Sequence, residues 1–559
     1  MGEKILSAIQ AGFRPGFSTM DHAFTLLCIF AFYERLQKNL FVAFIDYQKA
    51  FDTVWRAGLW LKLINEGVSG KFLNVIKDMY AKSKSCVLVN SQKSESFGSY
   101  AGVRQGEILS PLLFAFYIND LEGFLRGKGV SSLGGLLSTS GEVADFEESE
   151  ILIFMDILTL FYADDTMIFA DTALGLQFAL EELQNYCEMW KLTVNEGKTK
   201  IMCITWGRYK NQKYEFFYNN QKLECVNDFI YLGICFTKRG LTHTSIENRE
   251  IASKKAMFGF MTKCKQNHLP IEVQLDVFQK TVVPCMLYGG ELWGFNKTEC
   301  LEIIQKNFLK YSLKLKMSTP TVMLYLETGY FPIECEINIK IITFWVNLLT
   351  GRQDKFSYKI YRICLALYNR GLIIFKWMDN VVHILNQNGF SSIFRDQLLL
   401  DDKYLKNIFL PRLKTTIRDQ ARQVLLGKLN EGDSFYFYKD LITFHCMQNY
   451  LHKMPADIWI PLIKIRTGNH KLPVELQSWN IFYKPREERY CNVCNLAEVG
   501  DEFHYLSKCP IFSDERQKYL PSILQDCSKK HFIDILKSDD IRILRGLAKF
   551  LNILFAVFE

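Results

Sequence analysis

The sequence lacks the features that mark secreted or membrane proteins. The opening stretch, MGEKILSAIQAGF, has no long apolar core and no small-residue cleavage site, so no secretory signal is predicted. No uncharged apolar run reaches the roughly 18 residues that a membrane span needs. The nearest candidate, residues 151–170, contains Asp156, Asp164 and Asp165. These absences predict an intracellular protein with no membrane partner.

The chain also lacks a strong excess of charge of either sign. Its 559 residues include 67 Lys and Arg against 60 Asp and Glu, a formal net charge of +7. This mild excess is compatible with a polyanionic partner without requiring one, because a binding groove depends on how charges cluster. Hydrophobic residues make up 49% of the chain, which excludes disorder as the dominant state. At about 150 residues per domain, the length predicts about three or four units.

Hydrophobic periodicity predicts a mixed α+β arrangement for the first part of the chain. The run LFVAFI is typical of a buried strand, and it ends at Asp46. The segment ILIFMDILTLFYADDTMIFAD predicts two apolar strands that meet at Asp164 and Asp165. Between these regions, GEILSPLLFAFYINDLEGFL predicts one largely buried helix. From about residue 240 the pattern is mostly helical.

Two adjacent carboxylates, Asp164 and Asp165, stand inside a run whose neighbours favour burial. An isolated pair of this kind is usually a solvated turn. Asp46 also closes an apolar strand, however, and three carboxylates at strand ends supply the hard oxygen ligands that Mg²⁺ prefers. Two such ions about 4 Å apart can activate an attacking hydroxyl and stabilise the leaving oxygen in phosphoryl transfer. The cations would also offset the repulsion between the carboxylates.

Five segments occur in the order of palm motifs A to E of reverse transcriptases. They are FIDYQKAFDTV, GVRQGEILSPLLFAFYIND, FYADDTMIFA, LTVNEGKTKIM and YLGI. Their sequences resemble those of non-LTR (LINE-type) retrotransposons. The preceding stretch QAGFRPGFSTMDHAF also resembles these elements, although Phe17 stands where the family commonly has a basic residue. The resemblance implies an RNA-directed DNA polymerase that uses an RNA template, a DNA primer or target DNA, and dNTPs. It also implies two Mg²⁺ (or Mn²⁺) ions.

The resemblance assigns catalytic roles to individual side chains. It makes Asp46, Asp164 and Asp165 the Mg²⁺ ligands, with Asp165 less directly engaged than Asp164. Lys198 matches the motif D lysine that neutralises or protonates the pyrophosphate leaving group. Lys200 is a nearby alternative for that role, and a solvated lysine is an alternative for both.

Four further residues match the nucleotide-binding positions of the family. The backbone around Tyr47 is expected to assist the metal ligands. Phe51 falls where an aromatic ring under the incoming sugar leaves no room for a 2′-hydroxyl and so favours dNTPs; an ordinary core Phe is the alternative. Gln105 and Gly106 match the pair that approaches nucleotide and template. Glycine permits close backbone approach, and glutamine supplies both a donor and an acceptor.

The stretch Tyr231, Leu232 and Gly233 resembles the primer grip, which orients the 3′-hydroxyl of the primer. An ordinary turn between strands is the alternative. In the stretch before the palm, Arg14 is a candidate for contact with the triphosphate. Asp52 is shared with the family and is predicted to be structural.

A cysteine cluster near the C-terminus, CNVCNLAEVGDEFHYLSKC, has the spacing C-x2-C-x9-H-x4-C. Four ligands in two close pairs suit one tetrahedral structural Zn²⁺ site, formed by Cys491, Cys494, His504 and Cys509. Buried cysteines beside a surface histidine are the alternative. With RTGNHKLPVELQSW, this segment again resembles the tail of non-LTR elements, which implies contact with RNA or DNA.

The motifs together predict a right-hand polymerase divided into four regions. These are partial fingers and palm over 1–240, a helical thumb over 241–330, a helical region over 331–480, and a zinc-knuckle-like module with C-terminal helices over 481–559. The family resemblance implies further fingers strands and often an endonuclease domain upstream, so we expect an N-terminally truncated element. It also implies a nuclear and cytoplasmic location. A catalytically inactive, nucleic-acid-binding remnant is the alternative to an active polymerase.

Overall fold

Two compact units make up the chain. The first comprises Met1–Ser245 and Phe344–Lys406, and the second comprises Ile246–Thr343 and Asn407–Glu559. The computed structural model describes residues 6–7, 9–68, 70–133, 157–206, 212–241, 244–431, 438–442, 444–452, 454–476, 484–520 and 528–558. The mixed α+β class is confirmed, whereas the division into four regions stays a prediction. Within these ranges no helix is both long and apolar enough to cross a membrane.

Helices alternate with short strands up to residue 241. They are α1 (Thr19–Leu36), β1 (Leu40–Ile45), α2 (Arg56–Asn65), α3 (Gly70–Ala81), β2 (Lys84–Ser85), β3 (Leu88–Val89), β4 (Gln92–Lys93), β5 (Phe97–Gly98), α4 (Ser110–Ile118), α5 (Leu121–Gly127), β6 (Thr159–Tyr162), β7 (Asp165–Ala170), α6 (Ala173–Trp190), β8 (Lys200–Ile204), β9 (Phe216–Tyr218), β10 (Gln221–Val226), β11 (Asp228–Tyr231), β12 (Ile234–Thr237) and β13 (Gly240–Leu241). Residues 151–156 of the predicted strand before Asp164 lie outside the described residues.

From residue 244 onward the described elements are helical, as the periodicity predicts. They are α7 (Thr244–Gln266), α8 (Ile271–Met286), α9 (Gly290–Trp293), α10 (Glu299–Ser312), α11 (Thr321–Thr328), α12 (Ile333–Leu349), α13 (Phe356–Asn369), α14 (Lys376–Gln387), α15 (Ser391–Asp396), α16 (Asp402–Tyr404), α17 (Leu410–Glu431), α18 (Tyr438–Leu441), α19 (Ala456–Arg466), α20 (Pro473–Leu476), α21 (Ser513–Tyr519), α22 (Lys529–Leu536) and α23 (Ile541–Phe558). Short π-helical turns cover Leu405–Phe409 and His504–Lys508.

A six-stranded sheet, in the order β6-β7-β1-β8-β10-β9, lies in the first unit. Strand β1 pairs antiparallel with both β7 and β8, so that Phe44 stands opposite Met167 on one side and Lys200 on the other. All six residues of β1 are buried, which explains the continuous apolar run LFVAFI. The residue that follows β1, Asp46, therefore emerges from the middle of the sheet.

The predicted single helix over GEILSPLLFAFYINDLEGFL is wrong, because the chain forms two helices, α4 and α5, with a break at Asn119 and Asp120. The side chains at the break bind neighbouring elements. Asn119 Oδ1 accepts a hydrogen bond from Ser7 N at 3.0 Å. Asp120 Oδ1 lies 2.6 Å from Lys62 Nζ, whose side chain is only 4% exposed. These contacts compete with helix continuation at residue types that readily leave a helix.

Helices α13 and α14 belong to the first unit because they pack on α1. Asp21 in the first turn of α1 accepts hydrogen bonds from Ser357 Oγ at 2.8 Å and Lys355 Nζ at 3.0 Å. Phe24, fully buried, meets Trp377 edge-on with ring centroids 4.8 Å apart. A polar anchor and an aromatic core contact thus hold this later segment against α1.

A buried ion pair joins α11 and α19 in the second unit. Arg466 Nε lies 3.1 Å from Glu327 Oε1, and their side chains are 3% and 0% exposed. Tyr450 donates to Glu327 Oε2 at 2.6 Å. Arg466 also donates to the Leu536 carbonyl at 2.8 Å and to Gln448 Oε1 at 3.2 Å. These bonds satisfy both charges in the interior and connect four segments of the unit.

We expect Arg466→Met to destabilise the second unit by about 3–5 kcal/mol, because Glu327 would remain charged and buried without its partner. The matched control is Arg418→Met. Arg418 pairs with Glu336 at a similar 3.2 Å, but the side chains are 44% and 22% exposed, so a loss of about 0–1 kcal/mol is expected. Denaturant unfolding of both variants measures the difference. Equal losses in the free energy of unfolding would show that the buried Arg466–Glu327 pair stabilises the unit no more than the exposed pair does.

Candidate active site and metal centre

The paired carboxylates lie at the turn of the β6–β7 hairpin. Tyr162 pairs with Asp165, so Ala163 and Asp164 form a two-residue turn. Of the two turn residues only Ala163 has a positive φ, 59°, which fits the first position of a type II′ turn. Asp164 is therefore at the tip of the hairpin, and Asp165 is the first residue of β7.

The stretch before the palm packs directly on this turn. Gln10 Oε1 accepts hydrogen bonds from the backbone N–H groups of Ala163 at 3.1 Å and Gly12 at 3.0 Å. Ala11 N donates to the Phe161 carbonyl at 2.9 Å. A Cβ on Gly12 would come within 2.3 Å of Ala163 N, so only glycine allows this close approach. The conformation of the turn is thus fixed by residues outside the sheet.

Asp46 is brought to the same end of the sheet by the register of β1. Ile45 stands opposite Thr166, so the next position places Asp46 at the level of Asp165. The Asp46 N–H donates to Thr199 Oγ1 at 3.2 Å, which fixes the backbone just beyond the strand. The three carboxylates predicted from three separate sequence positions therefore converge.

The convergence is visible in the electrostatics of the carboxyl groups. Partial desolvation and the charges of Asp164 and Asp46 raise the pKa of Asp165 to about 6. Desolvation and the Asp46 charge also raise the pKa of Asp164, against a backbone hydrogen bond that lowers it. A divalent cation would relieve this repulsion, and carboxylate oxygens are its preferred ligands. The three residues thus fit a divalent-cation site.

Of the two candidate lysines, the one close to the carboxylates is Lys198. Its Nζ lies 4.0 Å from Asp46 Oδ2, and its side chain is 73% exposed. Lys200 Nζ instead lies 2.7 Å from Glu224 Oε2 and donates to the Gly197 carbonyl. Lys198 is therefore placed to reach a group bound at the carboxylates, and its catalytic role stays a prediction.

The residues predicted to bind nucleotide link the turn after β1 to the loop before α4. The Phe51 ring stacks on Phe114 with centroids 4.8 Å apart. Gln105 Nε2 donates to Asp52 Oδ1 at 3.0 Å. Gly106 has a φ of 85°, and an added Cβ would meet nothing within 4 Å among the described residues. Its backbone conformation thus favours glycine. Their nucleotide roles stay predictions.

Tyr47 extends β1 beyond Asp46 through a single antiparallel bridge to Val194. Its side chain is buried at 5% exposure, and this burial raises the pKa of the hydroxyl. The Tyr47 side chain is buried in the interior, so it is the backbone of Tyr47 that lies next to Asp46. This arrangement suits the backbone role predicted for Tyr47.

The predicted primer grip is the turn of the β11–β12 hairpin. Tyr231 pairs with Ile234, and Leu232 and Gly233 form the turn with φ values of 48° and 78°. Positive φ at both positions fits a type I′ turn. This geometry is that of an ordinary turn between strands, the alternative named from the sequence. It is also compatible with a primer grip, which stays a prediction.

His22 is a neighbour of this hairpin that sequence reasoning missed. Its Nδ1 lies 3.4 Å from the Tyr231 hydroxyl. Burial lowers the pKa of His22 to about 4, against the Asp21 charge that raises it, so the imidazole is neutral. The available signal was a histidine directly before the mostly apolar run AFTLLCIFAFY of α1.

Arg56 was also missed, although it organises the loop before α4. Its guanidinium donates to the carbonyls of Gly102 at 2.9 Å, Ser99 at 2.5 Å and Ala101 at 3.0 Å. A Cβ on Gly102 would come within 2.5 Å of the Asp52 carbonyl, so this loop also needs its glycine. A cation in the first turn of a helix opposes the helix dipole, and this was the signal that Arg56 has another task.

Arg14, the candidate for triphosphate contact, is only 7% exposed. Its Nη1 donates to the carbonyls of Ser7 at 2.6 Å and Gln10 at 2.9 Å, and its guanidinium lies 4.5 Å from the centre of the Phe17 ring. Arg14 therefore braces the stretch that packs on the β6–β7 turn.

The four predicted zinc ligands form one cluster. The candidate ligand atoms of Cys491, Cys494, His504 and Cys509 all lie within 4.8 Å of one another. Cys494 Sγ is 3.4 Å from His504 Nε2. His504 is 2% exposed, which disfavours the alternative of a surface histidine. This spacing suits a tetrahedral ion with metal–sulfur distances of about 2.3 Å.

A carboxylate that sequence reasoning missed stands behind the histidine. Glu498 Oε2 lies 3.0 Å from His504 Nδ1, so Nε2 is the nitrogen that faces the cysteines. Asp501 Oδ1 accepts a hydrogen bond from the His504 backbone N–H at 2.8 Å. Such a carboxylate fixes the tautomer and orientation of a histidine ligand. Glu498, Asp501 and Glu502 are all acidic, so the sequence alone could not single out one of them.

Comparison with known proteins defines the class of the first region. Residues 1–236 match the family described as reverse transcriptase (RNA-dependent DNA polymerase). The sheet, both hairpin turns and the three carboxylates all lie within this match. These residues are therefore a reverse transcriptase domain.

Individual relatives come from mobile elements of Drosophila melanogaster. A probable RNA-directed DNA polymerase from transposon BS is 28% identical over 296 residues, which is 52% of this chain and 30% of the relative. The RNA-directed DNA polymerase from mobile element jockey is 25% identical over 300 residues, again 52% and 30%. The Pol polyprotein from the type-2 retrotransposable element R2DM is 24% identical over 242 residues, 41% and 21%.

These matches confirm the resemblance to non-LTR retrotransposon reverse transcriptases, to which the domain is related. The matched region spans at most 30% of the length of these three relatives.

We expect Mn²⁺ affinity at the carboxylates to fall as pH is lowered through about 6, because protons compete with the cation for Asp165. Titrations followed by Mn²⁺ electron paramagnetic resonance measure this, and Asp165→Asn should flatten the dependence. A pH-independent wild-type affinity in this range would contradict the prediction.

The raised pKa of Asp165 also makes the stability of the fold depend on pH. Without metal, protonated Asp165 favours the fold below its ordinary pKa, and this contribution is lost as pH rises through about 6.

Proposed function

We propose that the chain is an RNA-directed DNA polymerase that extends the 3′-hydroxyl of a DNA primer or target DNA with dNTPs on an RNA template. The observation that carries this proposal is the convergence of Asp46, Asp164 and Asp165 at one end of the sheet, inside a reverse transcriptase domain. The raised pKa values of Asp164 and Asp165 are compatible with this proposal, because desolvation and, after it, neighbouring negative charge both raise them.

The three carboxylates would hold two Mg²⁺ or Mn²⁺ ions. When bound, these cations activate the primer hydroxyl and stabilise charge on the transferring phosphate and leaving oxygen. The chain supplies a rigid arrangement for them. Asp164 is fixed by the hairpin turn and Asp46 by its bond to Thr199, so little reorganisation is needed when charge develops.

Lys198 is proposed to neutralise or protonate the pyrophosphate as it leaves. Its exposed side chain ends 4.0 Å from Asp46, so a modest movement brings the ammonium to a phosphate held at the carboxylates. A positioned ammonium can donate a proton or stabilise developing negative charge. Lys200 is less suited because Glu224 already binds it.

Phe51 and the β11–β12 turn are proposed to position the two substrates. The Phe51 ring is held by Phe114, so it cannot easily move aside for a 2′-hydroxyl. Gln105 and Gly106 are proposed to approach the nucleotide and template. Tyr231, with the turn that follows it, is proposed to orient the primer end.

Residues 1–240 are proposed to carry partial fingers and palm, and residues 241–330 the thumb. The regions 331–480 and 481–559 are proposed to contribute contacts with RNA or target DNA. Such a polymerase would act in the nucleus and cytoplasm of its host.

We expect extension of a primed RNA template by dNTPs and Mg²⁺, and a loss of at least about a hundredfold in Asp164→Asn, because a metal ligand supports several kcal/mol of transition-state stabilisation. Asp78→Asn is the matched control, since Asp78 is an exposed carboxylate on α3 paired with Lys82. Gel-resolved primer extension is the measurement. Background extension by wild type and Asp164→Asn alike, with salt-sensitive nucleic-acid binding retained, would favour the inactive remnant.

We further propose that Cys491, Cys494, His504 and Cys509 hold one structural Zn²⁺. Their mutual approach within 4.8 Å supports this. Four protein ligands leave no open position, which assigns the ion to folding and not to catalysis. Glu498 is proposed to orient His504 toward the ion through Nδ1.

We expect Cys509→Ser to lose bound zinc and to lower the Tm, because one of four ligands is removed. Glu498→Gln should retain zinc with an affinity about 10–100-fold weaker. Cys446→Ser is the control, since Cys446 is an exposed cysteine of the same unit outside the cluster. Elemental analysis and a competing chelator measure content and affinity. Unchanged zinc content in Cys509→Ser would exclude this ligand set.

A further inference from the structure

The second unit contains a cavity of about 740 Å³ that uses none of the residues assigned above to catalysis or zinc. Its wall is built from helix ends. The last turns of α7 and α10 and the first turns of α8 and α19 all contribute residues. Its volume lies within the range of about 300–1,000 Å³ that is typical of ligand sites.

Cationic and aromatic side chains lie together in the wall of this cavity. The cations Lys265 and Lys314 line it and are exposed, and the His268 imidazole is exposed beside them. Tyr311 and Trp459 are the aromatic residues of the lining. Lys314 Nζ lies 4.7 Å from the centre of the Tyr311 ring, so positive charge and a π surface occur at one place. This combination is typical of sites that hold a base and its phosphate.

Ser312, the last residue of α10, provides an independent indication of a ligand. It lines the cavity and is only 1% exposed. Its Oγ has no hydrogen-bond partner within the described part of the chain. Buried hydroxyl groups are usually satisfied, because an unmade bond costs about 1–3 kcal/mol. A polar ligand group in the cavity would supply the missing partner.

Two helices begin at the cavity. Pro270 and Pro455, the residues that precede α8 and α19, both line it. The first turn of a helix presents N–H groups without intrahelical partners and the positive end of the helix dipole, which favours an anion. Glu272 is the acidic residue of the lining, and its carboxylate faces His452 Nδ1 at 3.4 Å. The remaining charge in the wall is positive.

We propose that this cavity binds an unpaired nucleotide of a single-stranded nucleic acid. The base packs against Tyr311 and Trp459, the phosphate lies near Lys314 and the helix starts, and Ser312 makes a hydrogen bond to the nucleotide. Aromatic stacking accepts any base, and the cations follow the backbone, so binding should depend on strandedness more than on sequence. This site goes beyond the proposed polymerase reaction and does not depend on catalysis.

Fluorescence anisotropy with the full chain and labelled single-stranded RNA and DNA oligonucleotides, without dNTPs, tests the proposal. Lys314→Glu should weaken binding at least about tenfold and reduce the salt dependence, because a phosphate contact is lost. Lys297→Glu is the matched control: it makes the same charge change at an exposed lysine of the same unit that does not line the cavity. Equal losses of oligonucleotide affinity in the two variants would overturn the proposal, because binding would then depend on the overall positive charge and not on the cavity.

Ser312→Ala separates ligand contact from folding. Removing an unpartnered buried hydroxyl should leave the Tm unchanged or raised, while a lost ligand hydrogen bond should weaken binding about fivefold. Undiminished oligonucleotide affinity in this variant would overturn the assigned contact.

Photocrosslinking locates the bound strand. Oligonucleotides carrying 4-thiouridine or 4-thiothymidine should crosslink at Tyr311 or Trp459, and the two probes distinguish RNA from DNA. Crosslinks confined to residues 1–245 would overturn the site. Displacement of the oligonucleotide by polyglutamate at equal charge would also overturn it, because the cavity would then be a site for any polyanion. None of these measurements requires polymerase activity. The nucleotide-binding proposal and the polymerase proposal can therefore fail independently.

Discussion

Repulsion among Asp46, Asp164 and Asp165 is the constraint on which the first unit depends. Three carboxylates stay close only if the backbone that carries them cannot move apart, and two parts of the fold hold them, β1 for Asp46 and the β6–β7 hairpin for Asp164 and Asp165. Strand β1 is buried over its full length in the middle of the sheet, and the β6–β7 turn is braced by Gln10. The apolar core thus supplies the rigidity, and the charges at its edge are the groups proposed to carry the chemistry.

The proposed zinc site of the second unit is assembled differently. Its four candidate ligands come from one short segment, 491–509, so the sequence itself brings them close. In the first unit, Asp46 is separated from Asp164 and Asp165 by more than a hundred residues and meets them only through strand register. A local cluster can therefore order its own segment when an ion binds, whereas the carboxylate site requires the whole sheet to be formed beforehand.

Sequence reasoning found the parts of the site that linear motifs encode. The strand before Asp46, the turn at Asp164 and the C-terminal cluster all follow from hydrophobic runs and residue spacing. It preferred Lys198 to Lys200 by motif position alone, and it could not foresee that Glu224 binds Lys200. It also could not detect Arg56 or Glu498, whose partners are fixed only by folding. The break between α4 and α5 escaped because tertiary contacts override local helix preference.

The close approach of Gly12 to Ala163 has a consequence for the boundaries of a working fragment. A piece of this chain that began at Leu40, the first residue of β1, would retain every predicted catalytic side chain and the whole of β1, β7 and β8. It would nevertheless lose Gln10 Oε1, the side-chain oxygen that accepts a hydrogen bond from the Ala163 N–H, and the backbone of Gly12 that packs against Ala163. Such a fragment would possess the complete motif set while its hairpin tip sampled several conformations. A chain can therefore contain every motif and still be unable to hold the three carboxylates together.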